Sequence, residues 1–315
     1  MRRGRFAPTP SGKMHLGNAR TALISWLHMR SLNGEFILRM EDIDTERSRE
    51  KWAELALLDL RWLGLDWDEG PDVGGPCAPY TQSERLERYE AGLLKLEAAG
   101  ALYPCFCSRA DILSAASAPH GLTSEGPAYA GTCRHLTAAQ RAEKALHKDP
   151  SLRFALPEGR EVRFEDGIAG TRSFAPGSGG DFVVRRADGL HSYQLSVVMD
   201  DADMKITDVL RGYDLLDSTP RQILLYEALG LETPNFLHVP LLNGSDGKRL
   251  AKRHGGIAIS SFRERGTSPE QLVGWLAHAS GLIDRPEAVA AAELVSSFDL
   301  SLIPREPVVV DVPDL

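Results

Sequence analysis

At 315 residues the chain is long enough for about two domains, each with its own core. Hydrophobic residues make up 43% and charged residues 25%, as in an ordinary soluble globular protein, and no apolar run approaches the roughly 20 residues of a membrane span. The net charge of −8 argues against nucleic-acid binding by general electrostatics, although Arg185-Arg186, Lys248-Arg249 and Lys252-Arg253-His254 gather positive charge locally. Met1-Arg-Arg-Gly-Arg-Phe6 carries no signal-peptide pattern. Four cysteines, two of them one residue apart, suit a metal or free thiols better than a disulfide framework, so a cytoplasmic location is expected.

In chain order, the first third alternates a strand over Arg5–Pro8, an amphipathic helix over Asn18–Leu32, a strand over Glu35–Asp42 and a helix over Glu50–Leu63. That βαβ order predicts the α/β class with a doubly wound, Rossmann-like parallel sheet. A further helix from Ser83 to about Ala99 stops at Gly100. Residues 101–180 hold three of the four cysteines, show little long periodicity, and close on Pro176-Gly-Ser-Gly-Gly180. They read as an insertion between two halves of the sheet, 1–100 and 181–245. The pattern then predicts strands over Asp181–Arg186, Ser192–Val198 and Ile206–Leu210. A helix follows, with Thr219 as N-cap, Pro220 in the first helical position and Gly230 as the stop. Residues 246–315 read as a basic loop and a short helical region: Ser268-Pro-Glu-Gln271 starts a capped helix through about Ser280, and Ile303–Val310 is an extended end.

Two segments carry the chemistry. Arg5-Phe-Ala-Pro-Thr-Pro-Ser-Gly-Lys-Met-His-Leu-Gly-Asn18 reads as strand, small-residue turn and helix start. Such a start offers unpaired backbone N–H groups and a positive dipole end to a phosphate, with the His15 imidazole and the bare backbone of Gly17 where the helix opens. Far downstream, Arg249-Leu-Ala-Lys-Arg253 is a basic loop between Asp246-Gly247 and Gly255-Gly256, suited to closing over the same phosphates. Together they point to a nucleotide site.

His15-Leu-Gly-Asn18 resembles the HIGH signature of class I aminoacyl-tRNA synthetases, and Arg249-Leu-Ala-Lys252-Arg253 resembles their KMSKS signature. Asn18 stands for the last His of the first; Arg249, Ala251 and Arg253 depart from the second. Arg5-Phe-Ala-Pro8 and Ile37-Leu-Arg-Met-Glu-Asp-Ile-Asp44 resemble the glutamyl branch, and the similarity continues through Val197-Val-Met-Asp-Asp201, Val209-Leu-Arg-Gly212 and Ser218-Thr-Pro-Arg-Gln222. The sequence ends at Leu315, where a full glutamyl-tRNA synthetase would continue into a helical anticodon-binding region. In this it resembles the short paralogues of that branch, the glutamyl-Q tRNA(Asp) synthetases, which put glutamate on the queuosine base of a tRNA instead of its 3′ end.

The resemblance implies a catalytic domain in two halves, an inserted zinc-bearing acceptor subdomain, and an ATP-dependent ligase. ATP and Mg2+, L-glutamate and queuosine-bearing tRNA(Asp) are the expected partners, the protein is expected to be a monomer, and no membrane partner is expected. His15 and Lys252 fall at the catalytic positions, and His15, Gly17 and Lys252 at those for ATP. Glutamate offers two carboxylates and an ammonium, so its pocket needs cations and an anion, and an arginine fork grips a carboxylate as lysine cannot. By resemblance Arg5, Ala7, Thr9, Glu41, Tyr193 and Arg211 are glutamate-contacting, with Phe6 and Pro8 completing the first segment, and Thr9 stands where Ser is usual. Cys105, Cys107 and Cys133 suggest a structural zinc site needing a fourth donor. The short family's spacing gives that place to Tyr129, while Cys133-Arg-His135 offers His135. Cys77 has no evident partner. Two other functions fit the same residues: a truncated glutamyl-tRNA synthetase charging a tRNA 3′ end, and a non-catalytic glutamate- or RNA-binding module.

Overall fold

Strand β1 (Arg3–Phe6), helix α1 (Leu16–Ser31), strand β2 (Glu35–Leu38) and helix α2 (Glu50–Trp62) open the chain in a computed structural model that describes residues 1–115, 128–250, 258–312 and 315. β1 and β2 pair in parallel, Arg5 opposite Ile37, which requires the crossover that α1 supplies. The amphipathic pattern expected of α1 is not what forms. Leu23, Ile24 and Leu27 are all buried, because the helix lies between the sheet and the C-terminal helices and so has little solvent face to keep polar.

After helix α3 (Leu86–Ala98) come β3 (Leu102–Cys105), the short helices α4 (Arg109–Ala115) and α5 (Ala138–Ala145), β4 (Ser151–Phe154), a hairpin of β5 (Val162–Asp166) and β6 (Gly170–Phe174), and β7 (Phe182–Arg185). β7 is a strand as expected, but it pairs antiparallel with β4 in a β3-β4-β7 sheet instead of resuming the parallel one. The strand expected over 192–198 is a helix, α6 (Tyr193–Asp203). Ser192 caps it by accepting the N–H of Leu195, and the short buried stretch Leu195–Val198, apolar except for Ser196, cannot be divided between strand and helix by local pattern alone.

The parallel sheet continues with β8 (Asp208–Gly212) and, after helix α7 (Thr219–Leu229), with β9 (Asn235–Val239), a strand the pattern did not mark. Ser218 rather than Thr219 takes the N-cap of α7, and Gly230 follows in the left-handed conformation (φ 65°). Short β10 (Leu242–Asn243), helices α8 (Ile259–Glu264) and α9 (Pro269–His278), and β11 (Val308–Val309) complete the elements. Ser268 and Gln271 form the expected capping box on α9, and the extended tail lays β11 parallel to β10.

The main sheet runs β2-β1-β8-β9, all parallel. One core joins α1, α2, α8 and α9 to one face through Leu23, Phe36, Phe262 and Leu276; the other joins α3, α6 and α7 through Leu93, Leu195, Val209 and Leu225. The chain leaves β1 toward β2 on one side and returns at β8 on the other. A crevice therefore opens at the carboxyl ends of β1 and β8, where α/β sheets bind ligands. Among the described residues no helix is long and apolar enough to cross a membrane.

Candidate active site

A cleft of about 620 Å³ occupies that crevice. Its walls bring together every expected nucleotide and glutamate residue that is described: Arg5, Phe6, Ala7, Pro8, Thr9, His15, Gly17, Glu41, Tyr193 and Arg211. Arg5 sits near the end of β1 and Arg211 near the end of β8, on neighbouring strands. Lys252 lies outside the described residues. The turn that leads toward it is described: Asn243 bridges Arg249, Leu250 N–H donates to the Leu242 carbonyl at 2.8 Å, and Arg249 pairs with Asp214 at 2.7 Å.

His15 occupies the N-cap of α1 in an extended conformation, and the helix's first turn holds no acid to oppose an anion. Gly17 leaves room for the His15 ring, which a Cβ would approach to 3.3 Å. At the other end of the cleft, Arg211 is buried, and its hydrogen-bond partners are all neutral: His238 Nε2 at 3.0 Å, Thr219 Oγ1 at 2.9 Å, the Leu215 carbonyl at 3.3 Å and Tyr193 Oη at 3.5 Å. No carboxylate pairs with it among the described residues, and burial lowers its guanidinium from the ordinary value. A buried cation lining a cleft without a counter-ion is a place for an anion.

Arg5 is arranged differently. Its Nε faces Asp201 at 3.2 Å and its Nη1 the Leu210 carbonyl at 3.4 Å. Glu41 is buried, and burial raises its carboxyl above the usual range although Arg39 and Arg5 act to lower it. Two cations and an anion thus line one cleft, the charge pattern that glutamate's two carboxylates and ammonium require.

A second cluster lies in the β3-β4-β7 region. The sulfurs of Cys105, Cys107 and Cys133 all fall within 4.8 Å of one another. Tyr129 Oη sits among them, 3.3 Å from Cys105 Sγ and 3.7 Å from Cys107 Sγ. Cys107 and Cys133 are 3.6 Å apart, close to the separation of about 3.8 Å that bonds of about 2.3 Å impose around a tetrahedral zinc. The three thiols fit the ion, and the Tyr129 phenol oxygen lies beside them. His135 is exposed and stands outside the cluster, and Cys77 is a free thiol elsewhere.

Residues 2–315 match the family model described as tRNA synthetases class I (E and Q), catalytic domain. The chain belongs to that family. It is 65% identical over 306 residues to a glutamyl-Q tRNA(Asp) synthetase of Symbiobacterium thermophilum, covering 97% of this chain and 94% of the relative. A second such synthetase, from Nitratidesulfovibrio vulgaris, is 45% identical, with 98% and 95% covered. The crystal structure of a glutamate tRNA ligase from Elizabethkingia meningosepticum in complex with its amino acid superposes with a TM-score of 0.84 at 30% identity, covering 98% of this chain and 66% of that one.

In this class I synthetase several site residues escaped the sequence reading. Arg39 is fully buried and bonds Asp201 at 2.7 Å and Glu41 at 3.0 Å, with Asp200 3.6 Å away. Burial works against the Asp201 charge, but Arg5 and Arg39 together hold its carboxyl below the usual range. Arg39 and the Asp200-Asp201 pair lie within the segments that resemble the glutamyl branch, and the sequence assigns them no role. The available signal was charge on otherwise apolar elements: Arg39 follows the apolar strand β2, and the two aspartates follow the apolar run in α6. His238 and Asp166, behind Arg211, had no local signal.

Proposed function

We propose that this chain activates glutamate with ATP and transfers it to the queuosine base of tRNA(Asp). The observation that carries the reading is the buried Arg211, without a carboxylate partner among the described residues, lining with Glu41 and Arg5 a cleft that begins at the α1 N-terminus. The high identity to glutamyl-Q tRNA(Asp) synthetases supports the acceptor.

Arg211, with Arg5 beside it, holds the side-chain carboxylate of glutamate, Glu41 takes the ammonium, and Tyr193 adds a hydroxyl to the wall. Phe6, Ala7, Pro8 and Thr9 shape the floor. The α-carboxylate oxygen attacks the α-phosphorus of ATP, pyrophosphate leaves, and glutamyl-adenylate forms. His15 and the α1 N-terminus steady the phosphates, Gly17 lets them approach, and Lys252 neutralises the departing pyrophosphate, with Mg2+ accompanying the triphosphate. A queuosine hydroxyl then attacks the acyl carbon, loses its proton, and AMP leaves. Positioning and charge neutralisation supply the catalysis.

In this reading residues 1–100 and 181–245 form the catalytic site, 101–180 an acceptor subdomain held by zinc on Cys105, Cys107, Tyr129 and Cys133, and 246–315 the signature loop and helical region. A cytoplasmic monomer suffices, because one chain supplies every residue invoked.

Glutamate-dependent ATP–pyrophosphate exchange without tRNA tests the first half-reaction, and labelled glutamate offered to queuosine-containing and queuosine-free tRNA(Asp) tests the second. Exchange with transfer to the modified tRNA alone is expected. Charging of the 3′ end would replace the acceptor proposed here, and absence of exchange would leave a binding module.

A further inference from the structure

Behind Arg211 stand two buried residues that no signature includes. Arg211 Nε donates to His238 Nε2 at 3.0 Å, and His238 Nδ1 lies 2.5 Å from Asp166 Oδ2. A guanidinium only donates, so Nε2 must present its lone pair, and the ring proton must sit on Nδ1 against the carboxylate. The second oxygen, Asp166 Oδ1, has another task. It accepts the backbone N–H groups of Ile168 at 3.0 Å, Ala169 at 2.8 Å and His238 at 3.1 Å, tying the β5–β6 turn to β9. A hairpin outside the parallel sheet thus reaches the guanidinium that lines the cleft.

We propose that Asp166 and His238 are a positioning pair for glutamate selection: Asp166 fixes the His238 tautomer, and His238 aims the Arg211 fork at the substrate carboxylate. The imidazole supplies an acceptor that is not an anion. A carboxylate placed directly on Arg211 would compete with glutamate for the same fork, whereas Asp166 acts one ring away and leaves the charge available. This rests on the reading of Arg211 as the carboxylate-binding residue.

The test is Asp166→Asn in ATP–pyrophosphate exchange with the full chain. Asparagine keeps Oδ1 for the three backbone N–H groups and replaces Oδ2 by an amide donor. That forces the ring proton to Nε2, against the Arg211 N–H. The expected result is a KM for glutamate raised about ten-fold or more, with the KM for ATP within about two-fold and the melting temperature little changed. His238→Gln offers a carboxamide oxygen to Arg211 without needing a tautomer. In that background Asp166→Asn should add less than about two-fold to the glutamate KM, as expected if Asp166 acts through His238.

An unchanged glutamate KM in Asp166→Asn, or equal rises for glutamate and ATP, would overturn the pair. Arg211→Gln separates the two levels: if it leaves glutamate binding intact, the reading of Arg211 fails; if it alone raises the glutamate KM, only the positioning pair fails. Should Asp166→Asn not fold, 15N chemical shifts of His238 in the unaltered protein decide the matter, since a protonated Nε2 excludes the proposed tautomer.

Discussion

Arg39 shows how one side chain can hold a site's charges in place. Taking Asp201, Glu41 and Asp200 out of water costs energy that cations must offset, and Arg39 reaches all three from the end of β2, joined by Arg5 at Asp201 and by Arg85 at Asp200 (2.6 Å). Arg39→Met should therefore cost about 3–5 kcal/mol in urea denaturation, the usual consequence of removing one partner from a buried ionic cluster. A loss below about 1 kcal/mol would mean that Arg5 on Asp201 and Arg85 on Asp200 suffice for them. His238 gives a pH dependence. Burial first, then the Arg211 charge, pulls its imidazole from 6.5 down to about 4 despite Asp166. The unfolded chain gains this proton below about 6.5 while the folded one does not, so the contribution is complete above 6.5 and is lost as pH falls toward about 4. The melting temperature should decline across that interval, and less steeply in His238→Gln. Parallel pH slopes for the two proteins would show that the folded ring is already charged. The residues expected to touch glutamate were legible because each sits in a short segment with its own chemistry. Arg39 was not, since a charged residue at a strand's end reads as a surface one until its burial is known.

Among the elements, local signals worked where a backbone end had to be satisfied and failed where burial was two-sided. The capping box on α9 and the left-handed Gly230 after α7 are demands of single helix ends, and both were readable. α6 was not, because its buried run is set by packing against α3, α7 and β7 within one core. The thiol cluster depends on a close approach of the same tertiary kind. Tyr129 bridges Gly180, which holds φ 67°, and a Cβ there would lie 2.6 Å from the Tyr129 carbonyl oxygen. Gly180→Ala must push Tyr129 off the thiols, so zinc retained after dialysis against a chelator should fall. Gly189→Ala, with φ 88° but open space around it, is the matched control and should keep its metal. Equal retention by both variants would remove Tyr129 from the ligand set.

Across the whole molecule, function follows from the strand order. Because β1 lies between β2 and β8, the first segment of the chain and a segment some 200 residues later meet at one crevice, each at a strand's carboxyl end. The sequence by itself determined the strand–turn–helix start of α1, the order of the two signatures, the residues that bring two cations and an anion to one cleft, and the three clustered thiols. Each of these is local: a cap, a turn, a short spacing. Only the tertiary structure decided that β7 joins the antiparallel sheet, that 193–203 is a helix, and that Arg39 and the Asp166–His238 pair stand behind the binding residues. Asp166 and His238 lie 72 positions apart, on a hairpin and a strand of different sheets. No local period can encode such a meeting, because hydrogen bonds in a buried site are chosen by which elements pack together and not by the sequence on either side of them.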